Sequence, residues 1–136
     1  MKVNGRCHCG EITFEADIDP ENVSICHCTD CQKLSGSPFR VVIPLPEEDF
    51  TLLSGEPKIY VKIAESGNQR QQTFCPTCGT PIYATSNGPG PRTFGIRAGA
   101  LENGCQFVPK RQIWTDSAVN WLSSISGMTA IKRQRP

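Results

Sequence analysis

The chain is 136 residues long, with 14 Lys and Arg against 13 Asp and Glu and a formal net charge of +1. That length suits one domain able to bury a core of its own. The near-neutral balance argues against a dedicated nucleic-acid binder, which would carry a basic face.

In chain order, MKVNGRCHCG lacks the apolar centre of a signal peptide, and no run reaches the ~18 apolar residues of a membrane span. The expectation is a cytoplasmic protein with no membrane contact. EITFEADI alternates, placing Ile12, Phe14 and Ala16 on one face of a half-buried strand. TDCQKLSG predicts one or two helical turns, with Thr29 as the N-cap and a stop at Gly36. FRVVIPL, FTLLSG, KIYVKI, QQTF, PIYAT and TFGIRAGAL follow as strands. Pro44 and Pro46 mark the end of the first of these as an edge or an exit. ESGNQR and TSNGPGPRT read as turns. TDSAVNWLSSI predicts a second short helix, and from about residue 130 the tail, with Lys132, Arg133 and Arg135, reads as a solvated end. There is no repeat and no linker, so residues 1–136 are expected to form a single, mainly β domain.

The eight cysteines carry the chemistry. Thiols stay reduced in the cytosol, so they are read first as metal ligands or catalysts. Cys7 and Cys9 form C-x-C, and Cys75 and Cys78 form C-x-x-C followed by Gly79. Two such pairs from distant parts of a chain make a closed tetrahedral zinc site, which contributes on the order of 10 kcal/mol to folding. A thioredoxin-type redox motif fits less well, because FCPTCGTPIYA runs into another β pattern instead of opening a helix. Cys26, Cys28 and Cys31 form a tighter set with no second pair to complete it. Its fourth position falls to His27, to Cys105, or to an exchangeable water or thiol as in catalytic zinc sites. Three thiolates leave such a site at a net charge of about −1, and a soft incoming thiol suits it. Cys105, alone in ENGCQF, is otherwise expected to be a small buried hydrophobe.

GRCHCGEITFE, CHCTDCQKLSGSPF and FCPTCGTPIYA, in this order and spacing, resemble the glutathione-dependent formaldehyde-activating enzyme family, which includes the centromere-protein-V-like domains. FGIRAGALEN and QIWTDSAVNWL resemble its later segments. The resemblance implies a β-tent of antiparallel sheets with zinc sites at their junction. It implies a closed zinc on Cys7, Cys9, Cys75 and Cys78 and a catalytic zinc on Cys26, Cys28 and Cys31, two per chain. The implied activity is a carbon–sulfur lyase reaction that joins glutathione to formaldehyde. Members often carry a histidine where this chain has Gln112.

A thiol placed on the middle zinc would be held as thiolate, the nucleophilic form, and would add to a carbonyl carbon beside it. Glutathione also carries two carboxylates and an ammonium, so cations and free amides are expected nearby. Lys33, Ser35 and Arg40 flank the cysteine loop as candidate binding residues, with Ser37 beside them and Arg97 and Arg111 as later candidates. Trp114, Phe39 and Trp121 are candidates to wall the pocket, against the commoner place of aromatic residues in a β core. Two other readings compete: a zinc-stabilised module that docks a protein partner, and a zinc buffer with exposed thiolates.

Overall fold

The computed structural model describes residues 1–134. Arg135, part of the expected basic tail, lies outside the described residues, while Lys132 and Arg133 are exposed in an irregular end. The described residues form ten strands: β1 (Lys2–Arg6), β2 (Thr13–Asp17), β3 (Ser24–Cys26), β4 (Arg40–Pro46), β5 (Phe50–Ser54), β6 (Lys58–Ile63), β7 (Gln69–Phe74), β8 (Pro81–Ser86), β9 (Thr93–Arg97) and β10 (Arg111–Ile113). One α-helix, α1 (Thr29–Ser35), lies between β3 and β4. The strands make a three-stranded sheet, β1-β2-β5, and a seven-stranded sheet, β10-β3-β4-β9-β8-β7-β6.

The two sheets close on an apolar core. In β2 the alternation places Phe14 and Ala16 inward and Glu15 and Asp17 outward, as a period of two requires. Phe50 of β5 packs on Phe14 and on Tyr83 and Phe94 of the larger sheet, with ring centroids 5.0, 5.1 and 5.4 Å apart. Tyr83 and Phe94 stack at 4.0 Å. Ile43, Leu45 and Ile96 complete the inner face of the large sheet. Gly5 is required in β1, because a Cβ there would lie 2.0 Å from the Phe14 ring.

β4 holds its prolines where they do least harm. β3 begins at Ser24, opposite Val42, so the second half of β4 has no neighbour on that flank. Pro44 and Pro46 lie in that half, where a missing N–H is tolerated.

Several expectations need correction. TDSAVNWLSSI forms two separate 3-10 turns, Thr115–Ser117 and Leu122–Gly127, and no α-helix. Neither turn contains a buried residue, so no packed face exists to support a longer helix. RAGAL leaves the strand at Arg97 and forms a 3-10 turn over Ala98–Ala100. The α1 N-cap is Cys28, one residue before Thr29, and Gly36 ends the helix in a left-handed conformation at φ 63°. β1, β3 and β10 escape sequence reading because they are short or poor in apolar residues. One pairing, β10 with β3, is parallel; all others within the two sheets are antiparallel.

Candidate active site and metal centres

The two outer cysteine pairs meet where the sheets join. Cys7 and Cys9 lie in the β1–β2 turn, and Cys75 and Cys78 in the β7–β8 turn. Their four Sγ atoms lie within 4.8 Å of one another. Cys7 and Cys9 are 3.5 Å apart at sulfur, and Cys9 and Cys75 are 3.8 Å apart. Zinc–sulfur bonds of about 2.3 Å arranged tetrahedrally demand sulfur separations of about 3.8 Å, so the donor set fits zinc. The turns aim backbone donors at the sulfurs: Ile12 N–H reaches Cys7 Sγ at 3.2 Å, and Cys78 N–H reaches Cys75 Sγ at 3.5 Å. Gly79, at φ 79°, lets the chain turn back so that its N–H meets the Cys75 carbonyl at 2.8 Å. The Thr80 hydroxyl, above all, brings the Cys78 thiol down to about 5. Against a lowering hydrogen bond from the Glu11 backbone, burial and the neighbouring sulfurs push Cys9 up to about 12.

The second cluster is local. Cys26 ends β3, Cys28 caps α1, and Cys31 lies in its first turn. The Cys28 sulfur accepts the Cys31 N–H at 3.2 Å. The three Sγ atoms lie within 4.8 Å of one another. A hydrogen bond from Cys31 draws Cys26 down to about 5 in spite of burial. The same contact and burial drive Cys31 up. Three sulfurs this close suit a soft metal ion that binds them as thiolates.

Neither protein candidate for the fourth position belongs to this cluster. His27 is buried and turned away: its Nε2 lies 2.8 Å from Gln112 Oε1, and Phe39 packs edge-on against the ring. Its backbone N–H donates to the Ile113 carbonyl at 3.1 Å, which extends the parallel β10–β3 pairing. Gln112 therefore has a definite partner here. Cys105 stands in a 3-10 turn, Gly104–Gln106, and is exposed, contrary to the buried position expected for it.

Above the three sulfurs opens a cavity of about 990 Å³. Its floor is the outer face of the seven-stranded sheet, and the strand register explains its lining. Ser24 and Cys26 of β3 stand opposite Val42 and Arg40 of β4; Val42 stands opposite Arg97 of β9. Gln72 and Arg70 of β7 continue the same face, and Lys62 of β6 stands opposite Arg70. Four cations, Lys62, Arg70, Arg97 and Arg111, line the cavity together with Asp30, Glu65 and Asp116. Lys62 is paired to Asp30 at 2.6 Å, and Arg111 bonds the Asn22 side chain. Arg97 is 8% exposed and donates from Nη2 to Gln72 Oε1 at 2.7 Å. Burial, then the nearby Arg40, brings its pKa down to about 9, so it stays charged at neutral pH.

Ile113 and Trp114 form one wall. Trp114 sits at φ 57°, ψ 42°, a left-handed conformation that costs a bulky residue about 1 kcal/mol or more. That strain turns the chain out of β10 at the cavity rim.

Of the residues expected to bind substrate, Arg97 and Arg111 line the cavity. Lys33 and Ser35 are exposed on α1 and do not, and Arg40 is buried opposite Cys26, beside the cavity and outside its lining. Trp114 is a wall residue, whereas Phe39 packs on His27 and Trp121 is exposed outside the lining. Sequence reading missed Lys62, Arg70 and Gln72. The signal available was the period of two in KIYVKI, which places Lys58, Tyr60 and Lys62 on one face.

Among the described residues, no helix is long and apolar enough to cross a membrane. The chain is similar to a protein of Schizosaccharomyces pombe described as an uncharacterized lyase, with 32% identity over 88 residues, 64% of this chain and 61% of that protein. The match thus spans less than two thirds of that relative's length. A crystal structure of a Rhodobacter sphaeroides protein shares the fold, with a TM-score of 0.62 at 18% identity, over 81% of this chain and 99% of the other. The profile of the glutathione-dependent formaldehyde-activating enzymes matches residues 2–117. With both cysteine clusters inside that span and assembled as two sets of sulfurs, the chain belongs to the glutathione-dependent formaldehyde-activating enzyme family.

Proposed function

We propose that the protein is a carbon–sulfur lyase that joins a small thiol, glutathione or a close relative, to a small carbonyl such as formaldehyde, or catalyses the reverse. The observation that carries this reading is the three-cysteine cluster opening into a cation-lined cavity. Family membership and the lyase description of the yeast relative support it. In the forward direction the thiol sulfur bonds to the carbonyl carbon, the carbonyl electron pair moves to oxygen, and that oxygen takes the proton the thiol gave up.

Two zinc ions per chain are proposed, one on Cys7, Cys9, Cys75 and Cys78 and one on Cys26, Cys28 and Cys31. The second, when bound, supplies a Lewis acid that favours the thiolate form of a sulfur at its fourth position. The chain's own residues do the rest. Cys26, Cys28 and Cys31 would hold the ion where their sulfurs line the cavity. Arg70 and Arg111 offer guanidinium donors for substrate carboxylates, for which paired N–H donors are well matched. Ile113 and Trp114 cover one side and limit water. Lys33 and Ser35 remain proposed contacts only for a substrate that reaches past the cavity toward α1, while the proposed part of the buried Arg40 in binding is electrostatic. With no cysteine in a disulfide among the described residues, the protein is proposed to work in the reducing cytoplasm on small molecules, without nucleic acid or membrane.

The test is spectroscopic. Cobalt should be substituted at the three-cysteine site, where glutathione should shift the visible bands saturably and S-methylglutathione should not. Formation of the hydroxymethyl thioether from glutathione and formaldehyde, followed by carbon-13 NMR, should accelerate with the loaded wild-type protein. It should not accelerate with C28S. A loaded site indifferent to every small thiol refutes the enzyme reading; response to another thiol alone refutes glutathione as substrate.

A further inference from the structure

Two arginines beside the cysteine cluster are buried without a carboxylate partner among the described residues. Arg40 is 6% exposed, and its Nε and Nη2 have no hydrogen-bond partner. Arg97 is 8% exposed, with Nε unpartnered and only the neutral Gln72 amide on Nη2. Neither belongs to any ion pair among the described residues. The register holds them together: Arg40 stands opposite Cys26, and Arg97 stands opposite Val42, two residues along the same face of β4. Such diagonal positions lie roughly 7–8 Å apart at the backbone, within reach of long side chains. Two like charges buried side by side are costly unless an anion balances them. The anions the fold offers there are the sulfurs of Cys26 and Cys31, which interact favourably with the Arg97 charge, and Cys26 is the register partner of Arg40.

We propose that Arg40 and Arg97 form a buried pair of cations whose counter-ion is the metal–thiolate cluster of Cys26, Cys28 and Cys31, and that this pair selects an anionic thiolate as the fourth ligand. The inference rests on the metal-centre reading above and adds the arithmetic of charge. Three thiolates on a divalent ion carry −1, and a fourth thiolate brings the cluster to −2. The two guanidinium groups supply +2. Water or another neutral ligand leaves one positive charge unbalanced in a buried place, whereas a thiolate neutralises the whole assembly. These arginines act through the cluster's charge; they are positioning residues for the ligand.

The experiment uses the full chain, with cobalt at the three-cysteine site, and two probes: 2-mercaptoethanol, whose only anionic form is the thiolate, and imidazole, which binds neutral. R97Q and R40Q should raise the dissociation constant of 2-mercaptoethanol about tenfold or more, the scale of one lost opposite charge. R97K, which keeps the charge, should stay near wild type. Imidazole should bind all variants alike. Thermal melts give a second readout: R97Q should leave metal-free protein as stable or more so, and destabilise the loaded protein in the presence of thiol. Equal weakening for thiol and imidazole, or unchanged thiol binding in folded R97Q, overturns the inference alone. Destabilisation of metal-free R97Q also overturns it. A wild-type cobalt spectrum that ignores thiols overturns the reading of the site, and this inference with it.

Discussion

Replacing Cys75 and replacing Cys28 remove the same atom from two sulfur clusters, yet the consequences for folding should differ. Cys75 is fully buried and belongs to a cluster that ties the β1–β2 turn to the β7–β8 turn. Cys9 and Cys75, 66 residues apart in sequence, are brought to 3.8 Å. A cross-link closing a loop of that length is worth about 4 kcal/mol in chain entropy alone. For a domain of this size that corresponds to a fall in melting temperature of about 15 °C. Cys26, Cys28 and Cys31 fall within six residues, so an unfolded chain can still gather them, and their metal adds less to the folded state. Cys28 also caps α1 through its sulfur, and serine is a good N-cap residue. C28S should therefore cost less than about 2 kcal/mol, the upper end for changing an N-cap. Both variants should be melted by circular dichroism beside a measurement of zinc per chain. C75S should melt far lower or fail to fold, and C28S should melt near wild type with one zinc missing. Equal falls in the two variants would refute the division into a structural and a functional cluster.

Three further outcomes follow from the geometry. C105S should leave zinc content and thiol binding unchanged, because Cys105 is exposed and belongs to neither cluster; loss of one zinc would make it a ligand. Zinc binding to the reduced, metal-free protein should release protons. Cys78 and Cys26 are brought down to about 5, so they are already ionised at neutral pH, while Cys9 is pushed up to about 12 and still holds its proton. The loaded form carries fewer protons, so apparent affinity should rise with pH, about tenfold per pH unit for each proton released, by chelator competition between pH 6 and 8. G5A should be destabilised by about 1–3 kcal/mol in urea, because the added methyl group must displace the Phe14 ring.

How far the sequence reached can be seen residue by residue. The cysteine sets, the inward face of Ile12, Phe14 and Ala16, and the helix ending at Gly36 were all legible, because each depends on residues close in sequence. Motif order carried the family, since the spacing within each cysteine set reflects a turn that the local chain builds by itself. The lining of the cavity was not legible in the same way. Lys33 and Ser35 adjoin the cysteines in sequence but lie outside the cavity lining, while Lys62, Arg70 and Arg97 arrive from three distant strands. Their common face follows from sheet order and register, which are set by pairing among segments far apart in the chain. The same is true of His27 and Gln112, 85 residues apart and joined because β10 lies parallel to β3. Sequence alone thus determined the sulfurs that each turn presents together, through short-range geometry, whereas the fold brought the Cys7–Cys9 turn to the Cys75–Cys78 turn. Tertiary structure alone decided which charges surround them, because only strand pairing buries Arg40 and Arg97 beside Cys26.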